Sequence, residues 1–268
     1  MEWELQLVDR RSRHLRQEAP KLLAELPELS SDSAPPLRHE LMQSQVEVVT
    51  GICETVEEAK GDLGRNIDRM REVLAPWGTT LTCSGTHPID DWRDQELSPG
   101  ERYGELVEQM QWLVRRILTC GVHVHVGVRD RDKAIPMVNA LSRYLPHFLA
   151  LSASSPFWGG QDTGLASSRS VIFGTLPTAG PPPNLPHWAA FEDTSKRFSG
   201  QVPSPLSRKC GGTSVRTLIS APSRSGCSTV FPPCARWEWP PRSLRAWWSC
   251  SITSSTAGTV CPARRPGW

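Results

Sequence analysis

Three glutamates and two histidines stand at spacings that bring ionisable side chains together. In Cys120-Gly121-Val122-His123-Val124-His125-Val126-Gly127-Val128 the strict Val/His alternation has the period of a β-strand, so His123 and His125 point to one face and the valines to the other. A glycine near each end and a wholly apolar second face predict a buried strand whose polar side meets a ligand. Glu2-Trp3-Glu4-Leu5-Gln6-Leu7-Val8 alternates in the same way, with Glu2, Glu4 and Gln6 on one face and Trp3, Leu5 and Leu7 on the other. Counting by twos through residues 40–50 predicts a further strand that puts Gln43, Gln45 and Glu47 together, opposite Met42, Ser44, Val46 and Val48. Carboxylates two apart on a strand converge on one ligand, so these residues favour metal or phosphate chemistry. The plain structural alternatives are a half-exposed strand with two solvated histidines and an edge strand with solvated carboxylates.

Strands of this kind need helices to position them. Residues 19–26, with Pro20, suit a short helix, and residues 29–36 read as a polar loop. Thr55 caps a long helix whose apolar positions Val56, Ala59, Leu63, Ile67, Met70 and Leu74 step by three or four. Ser98-Pro99-Gly100-Glu101 reads as a capping box that opens a helix through Tyr103, Leu106, Met110, Leu113 and Ile117 and leads straight into the Val/His strand. After that strand, residues 133–150 predict one helix bent at Pro146, burying Met137, Leu141, Leu145, Phe148 and Leu149. His87 falls at a predicted strand end beside Pro88, where both a functional and a loop role are open. Residues 152–169 are Gly/Ser-rich and end on Arg169, which can clamp a carboxylate or phosphate. No P-loop or dinucleotide fingerprint occurs.

The 268 residues allow one large domain or two small ones. No apolar run approaches the roughly 18 to 20 residues of a membrane helix, and the start is not that of a signal peptide, so a cytoplasmic enzyme is expected. The net charge of +2 hides an asymmetry. From Ser199 to Trp268 the only acidic residue is Glu238, against nine Lys or Arg, and the same stretch holds five of the eight cysteines and five of the eleven tryptophans. Nucleic-acid arms are poor in Trp and Cys, and Cys210, Cys227, Cys234, Cys250 and Cys261 lack any paired zinc spacing, so neither reading is persuasive. The sparse Cys53, Cys83 and Cys120 suit reduced thiols.

Five stretches in collinear order carry a family resemblance. They are residues 40–51, Gly85-Thr86-His87-Pro88, residues 119–127, Leu151-Ser152-Ala153-Ser154-Ser155-Pro156-Phe157-Trp158, and Asp162-Thr163-Gly164-Leu165-Ala166-Ser167-Ser168-Arg169. Together they resemble the carboxylate-amine ligases, also called type 2 glutamate–cysteine ligases, from residue 1 to about Phe191. The resemblance implies an α+β fold, an antiparallel β-sheet flanked by helices and related to glutamine synthetase. It also implies ATP with Mg2+ and a reaction in which a γ-carboxylate is phosphorylated and an amine then attacks. The substrates would be small molecules, glutamate with cysteine or another amine, and neither nucleic acid nor membrane is expected. Hard Mg2+ prefers oxygen, which makes Glu2, Glu4 and Glu47 the expected metal ligands, with His123 and His125 as cofactor contacts. Arg169 would hold a substrate or nucleotide anion, and His87 would line the same cleft. The resemblance leaves the oligomeric state and the true amine open.

Beyond residue 191 the likeness stops, and the genetic code supplies a reason. The family continues with a strand resembling Trp-Trp-Asp-Val-Arg-Pro-His. Residues 210–217 can be written TGY GGN GGN ACN TCN GTN CGN ACN, and regrouped from the third base these codons can encode that same run. The same shift from Ser220 to Gly226 permits Phe-Gly-Thr-Val-Glu-Val-Arg, another family pattern, if Arg224 is encoded by AGR. The sequence therefore reads as residues 1–195 of a ligase catalytic domain followed by an out-of-frame, disordered tail at 196–268. The sheet would be incomplete at its C-terminal side and the activity absent or very weak. Two other functions stay open: a metal hydrolase using zinc on His123 and His125, and nucleic-acid binding through the basic tail.

Overall fold

The computed structural model describes residues 1–31, 35–128, 130–176, 179, 181, 183–201, 219–220 and 227–231. The organising element is β1 (Glu2–Asp9), which lies inside the sheet and not at its edge. On one side it pairs antiparallel with β3 (Gln45–Val49), setting Glu4 opposite Glu47 and Leu5 opposite Val46. It also pairs antiparallel with β4 (Thr79–Thr82) through Gln6 to Asp9, and with β5 (Val122–Val128) through Glu2 and Trp3. β2 (Leu37–His39) lies outside β3, with Arg38 opposite Glu47.

The alternation that the sequence predicts for β1 divides the sheet into two faces. Leu5, Leu7, Val46 and Val48 are buried against α1 (Ala19–Glu25) and α3 (Val56–Leu74), where Leu22, Leu63, Ile67, Met70 and Leu74 complete the core. Removing these side chains from water is the main stabilising term of this half of the fold. α3 begins as predicted: Thr55 Oγ1 accepts from the Glu58 amide at 3.1 Å. Its first residue, Val56, is exposed and contributes nothing to the apolar face.

Several expectations are corrected. Residues 41–44 do not continue β3: Leu41 and Gln43 bond across to Ser98 and Glu96, which makes an isolated antiparallel bridge of Met42 with Leu97, and the chain then turns at residues 43–44, where the Gln45 amide closes on the Met42 carbonyl. The predicted loop at 29–36 begins inside a helical turn, α2 (Pro27–Ser30), and residues just beyond it enter β2. The capping box does not form. Helix α4 (Glu101–Met110) starts after Gly100, whose φ of 134° no other residue adopts easily, and Ser98 is drawn away by its amide bond to the Leu41 carbonyl. A break at Gln111, φ 48°, separates α4 from α5 (Trp112–Arg115). The helix expected over 133–150 is two helices, α6 (Arg131–Ser142) and α7 (Leu145–Ser152). Pro146 sits in the first turn of α7, where its missing N–H costs nothing, so it starts a helix where a bend was expected. Ala134, Ile135, Val138 and Phe148 are buried there, while Leu149 is exposed.

β5 is less enclosed than its valines predict, since Val126 is 38% exposed. Past β5 come a small hairpin, β6 (Phe157–Trp158) and β7 (Gln161–Asp162), then α8 (Ser168–Phe173) and α9 (Trp188–Gln201). The sheet does not stop at β5. The backbone of β9 (Cys227–Phe231) pairs antiparallel with it, and β8 (Ile219–Ser220) pairs with β9. Residues 196–201 of the segment expected to be out of frame continue α9, while residues 202–218, 221–226 and 232–268, Cys210 to Thr217 among them, lie outside the described residues. All the described residues fall within the compact unit Met1–Arg236. Among them no helix is long and apolar enough to cross a membrane.

Candidate active site

The face opposite the α1/α3 core gathers the residues singled out by spacing. Because Glu4 and Glu47 are register partners, and Glu2 and His123 are register partners, the three strands β1, β3 and β5 deliver their polar side chains to one place. His123 Nδ1 lies 3.1 Å from Glu2 Oε2, and His125 Nε2 lies 3.0 Å from the same oxygen. Each imidazole donates to the carboxylate, so both histidines do face one way. Glu2, Glu47 and His123 place one ligand atom each within 4.8 Å of one another, and so do Glu4, Glu40 and Glu47. Glu47 belongs to both groupings.

Electrostatics follow from this crowding. Burial works against the charge of Glu2, but the hydrogen bonds from His123 and His125 hold its carboxyl well below the usual range. Burial pushes Glu4 up, helped by Glu47 and opposed by His123 and Arg169. Glu47 is pushed up to about 7, by burial first and then by Glu40 and Glu2. Burial disfavours the His123 imidazolium, yet the Glu2 bond and the charges of Glu4 and Glu47 carry its pKa above the ordinary value. Excess negative charge held in one partly dry place is stabilised by a cation. Four carboxylates and one imidazole form an oxygen-rich donor set, which fits Mg2+ and lacks the sulfur and nitrogen majority common in zinc sites. Arg38 supplies part of the missing positive charge, 3.7 Å from Glu47 and 4.0 Å from Glu2.

The remaining expected residues lie differently. His87 is buried in a loop network, with Nε2 at 3.0 Å from the Arg13 carbonyl and Nδ1 accepting from the Asp90 amide at 3.0 Å. Both ring nitrogens are thus engaged by backbone, one in its own loop and one in the segment after β1, and burial lowers its pKa. Arg169, on α8, donates through Nε to the Cys120 carbonyl at 2.7 Å, and its guanidinium lies over the Phe173 ring. Its charge reaches Glu4. Arg38 and Glu40 escape the sequence reading. The turn at 43–44 interrupts the count by twos that found Glu47, and the Pro35-Pro36 pair hides a strand. The alternation Leu37-Arg38-His39-Glu40 was the available signal: Leu37 is buried, while Arg38 and Glu40 stand two apart, like Glu2 and Glu4.

Comparison with known proteins points the same way. Residues 1–216 match the model of glutamate-cysteine ligase family 2. A Thermobifida fusca protein named "Putative glutamate--cysteine ligase 2" is 73% identical over 194 residues, 72% of this chain and 49% of the relative. A Frankia casuarinae protein named "Putative glutamate--cysteine ligase 2-1" is 55% identical over 193 residues, and a Mycobacterium tuberculosis protein named "Putative glutamate--cysteine ligase 2" is 46% identical over 192, each covering 72% of this chain and 50% of the relative. The chain thus spans about half the length of these curated relatives. With the family model matched over most of its residues, and with the carboxylate face that the fold assembles, the chain belongs to glutamate-cysteine ligase family 2.

Proposed function

We propose that the polar face of the sheet is one wall of an ATP-dependent carboxylate-amine ligase site. It would join the γ-carboxylate of glutamate to the amine of cysteine or of another amino acid. The observation that carries this reading is the pair of carboxylate groupings that share Glu47, in a chain of this family. A carboxylate is a poor electrophile until it accepts the γ-phosphoryl group of ATP. The acyl phosphate and ADP result, and the amine then displaces phosphate to form the amide and loses a proton. Mg2+, when bound, neutralises phosphate charge and aligns the phosphoryl group. Glu2, Glu47 and His123 would hold one ion, and Glu4, Glu40 and Glu47 a second. Arg38 and His125 keep Glu2 and Glu47 oriented. The fold we assign is the glutamine synthetase-like catalytic sheet, the setting is the cytoplasm, and the partners are small molecules, not nucleic acid or membrane.

We further infer that the reading frame shifts between residues 191 and 201, so this polypeptide carries an incomplete site and little activity. The regrouped codons at 210–217 and 220–226 support this inference, and so does a match to the relatives that covers only 194 of the 268 residues, although the family model itself runs on to residue 216. ADP release in the presence of glutamate, cysteine, ATP and Mg2+ is the test, run on this chain and on a frame-restored version. Activity confined to the restored protein supports both readings. Equal activity in the two removes the frame inference, and none in either removes the ligase assignment. A gene sequence that stays in frame with intact relatives through residue 268 would also overturn the shift.

A further inference from the structure

The turn that feeds β5 is held from several directions at once. Three consecutive carbonyls each receive a donor from a different part of the fold. The Thr119 carbonyl accepts from Gln45 Nε2 at 2.9 Å, the Cys120 carbonyl from Arg169 Nε at 2.7 Å, and the Gly121 carbonyl from the Glu4 amide at 3.0 Å. Gln45 Nε2 also lies 3.0 Å from Cys120 Sγ, and the Cys120 amide donates to the Gly85 carbonyl at 3.0 Å. Gln45 is 2% exposed and Cys120 3%, so water competes little for the bonds that Gln45 makes. The Arg169 arm reaches the turn through a gap that a glycine leaves open: a Cβ on Gly85 would lie 3.2 Å from Arg169 Cδ and 3.3 Å from Ser155.

Such holding matters because the direct link between β1 and β5 is thin. Only Glu2 with His123 and Trp3 with Val122 are register partners. Two residue pairs do not fix a strand against slipping or tilting, yet the Glu2, Glu47 and His123 grouping depends on where β5 lies. We propose that Gln45 and Arg169 are positioning residues, which clamp residues 119–121 between β3 and α8 and so set His123 against Glu2 and Glu47. The proposal rests on the cation-site reading above. It gives Arg169 a task other than holding a substrate anion.

The test uses Mn2+ as the probe on the purified full chain, with affinity read by electron paramagnetic resonance and imidazole coordination read by 14N spin-echo modulation. Arg169→Lys keeps the positive charge but puts a methylene where the Nε–H stands. Gly85→Ala instead crowds the arm and leaves every donor in place. For both, measured where circular dichroism matches the wild type, we expect Mn2+ affinity to fall about tenfold or more, with the 14N modulation weakened or lost. If either folded variant keeps its affinity within about twofold and its modulation intact, the positioning role is overturned. Glu47→Gln separates the two readings. Binding to the wild type that this substitution abolishes upholds the cation site whatever the clamp variants do. Equal binding by both, or none by the wild type, overturns the site and the clamp together.

Discussion

Glu47 meets two groups of carboxylates at once, and its ionisation is linked to the stability of the fold. Its pKa stands near 7 against an ordinary 4.5, so between those values the folded chain holds a proton that the unfolded chain has released. The stability due to the protonated carboxyl is present below 4.5 and lost as pH rises through about 7. Glu47→Gln has no such proton to lose. We therefore expect the melting temperature of Glu47→Gln, relative to wild type, to improve from about pH 5 to about pH 8 in a chelator. Saturating Mg2+ should reverse that trend by favouring the ionised carboxylate. A mutant-to-wild-type difference that stays flat with pH would show that Glu47 is not crowded by Glu40 and Glu2. At this scale the sequence was legible wherever a strand ran unbroken. Glu2, Glu4 and His123 follow from alternation alone, whereas Glu40 sits across a turn that resets the count. His87 marks another limit. A histidine beside proline reads the same whether it faces a cleft or, as here, ties down a loop through both nitrogens.

Among the elements, two serine/threonine positions with similar sequence credentials diverge. Thr55 caps α3, and Thr55→Ala should cost about 1 kcal/mol in urea unfolding. Ser98 looks like a cap but is buried with its Oγ unpartnered among the described residues. Ser98→Ala should therefore be neutral or stabilising, and a loss near 1 kcal/mol would restore the capping box. The distinction was hidden because a cap is decided by where the preceding chain goes, and here a long-range bond to Leu41 decides it. Core positions are easier. Leu7 is fully buried at the centre of the α1/α3 face, and Leu7→Ala should cost about 2 to 5 kcal/mol by the same measurement. The Thr55 cap and the helix periodicity located the start and the buried face of α3 but misjudged 133–150. Apolar residues there are dense enough to fit several faces, and the break at residues 143–144 changes which face is buried.

For the molecule as a whole, the sheet is a partition with an apolar side sealed by helices and a polar side carrying the carboxylates. That much of the architecture was written in the alternation of β1 and β3. The pairing of β5 with β9 was not, since the composition around Cys227–Phe231 shows no strand period of its own. The partition also has a kinetic meaning. Glu2 and His123 lie 121 positions apart in the chain, so their grouping exists only once β5 has closed on β1. Loop closure of that length belongs to the late part of folding. An ion held there stabilises the finished fold more than the transition state that leads to it. Saturating Mg2+ or Mn2+ should accordingly slow unfolding while leaving the refolding rate nearly unchanged. In stopped-flow traces the divalent ion would then act as a latch on the exit from the native state, with no part in guiding the chain toward it.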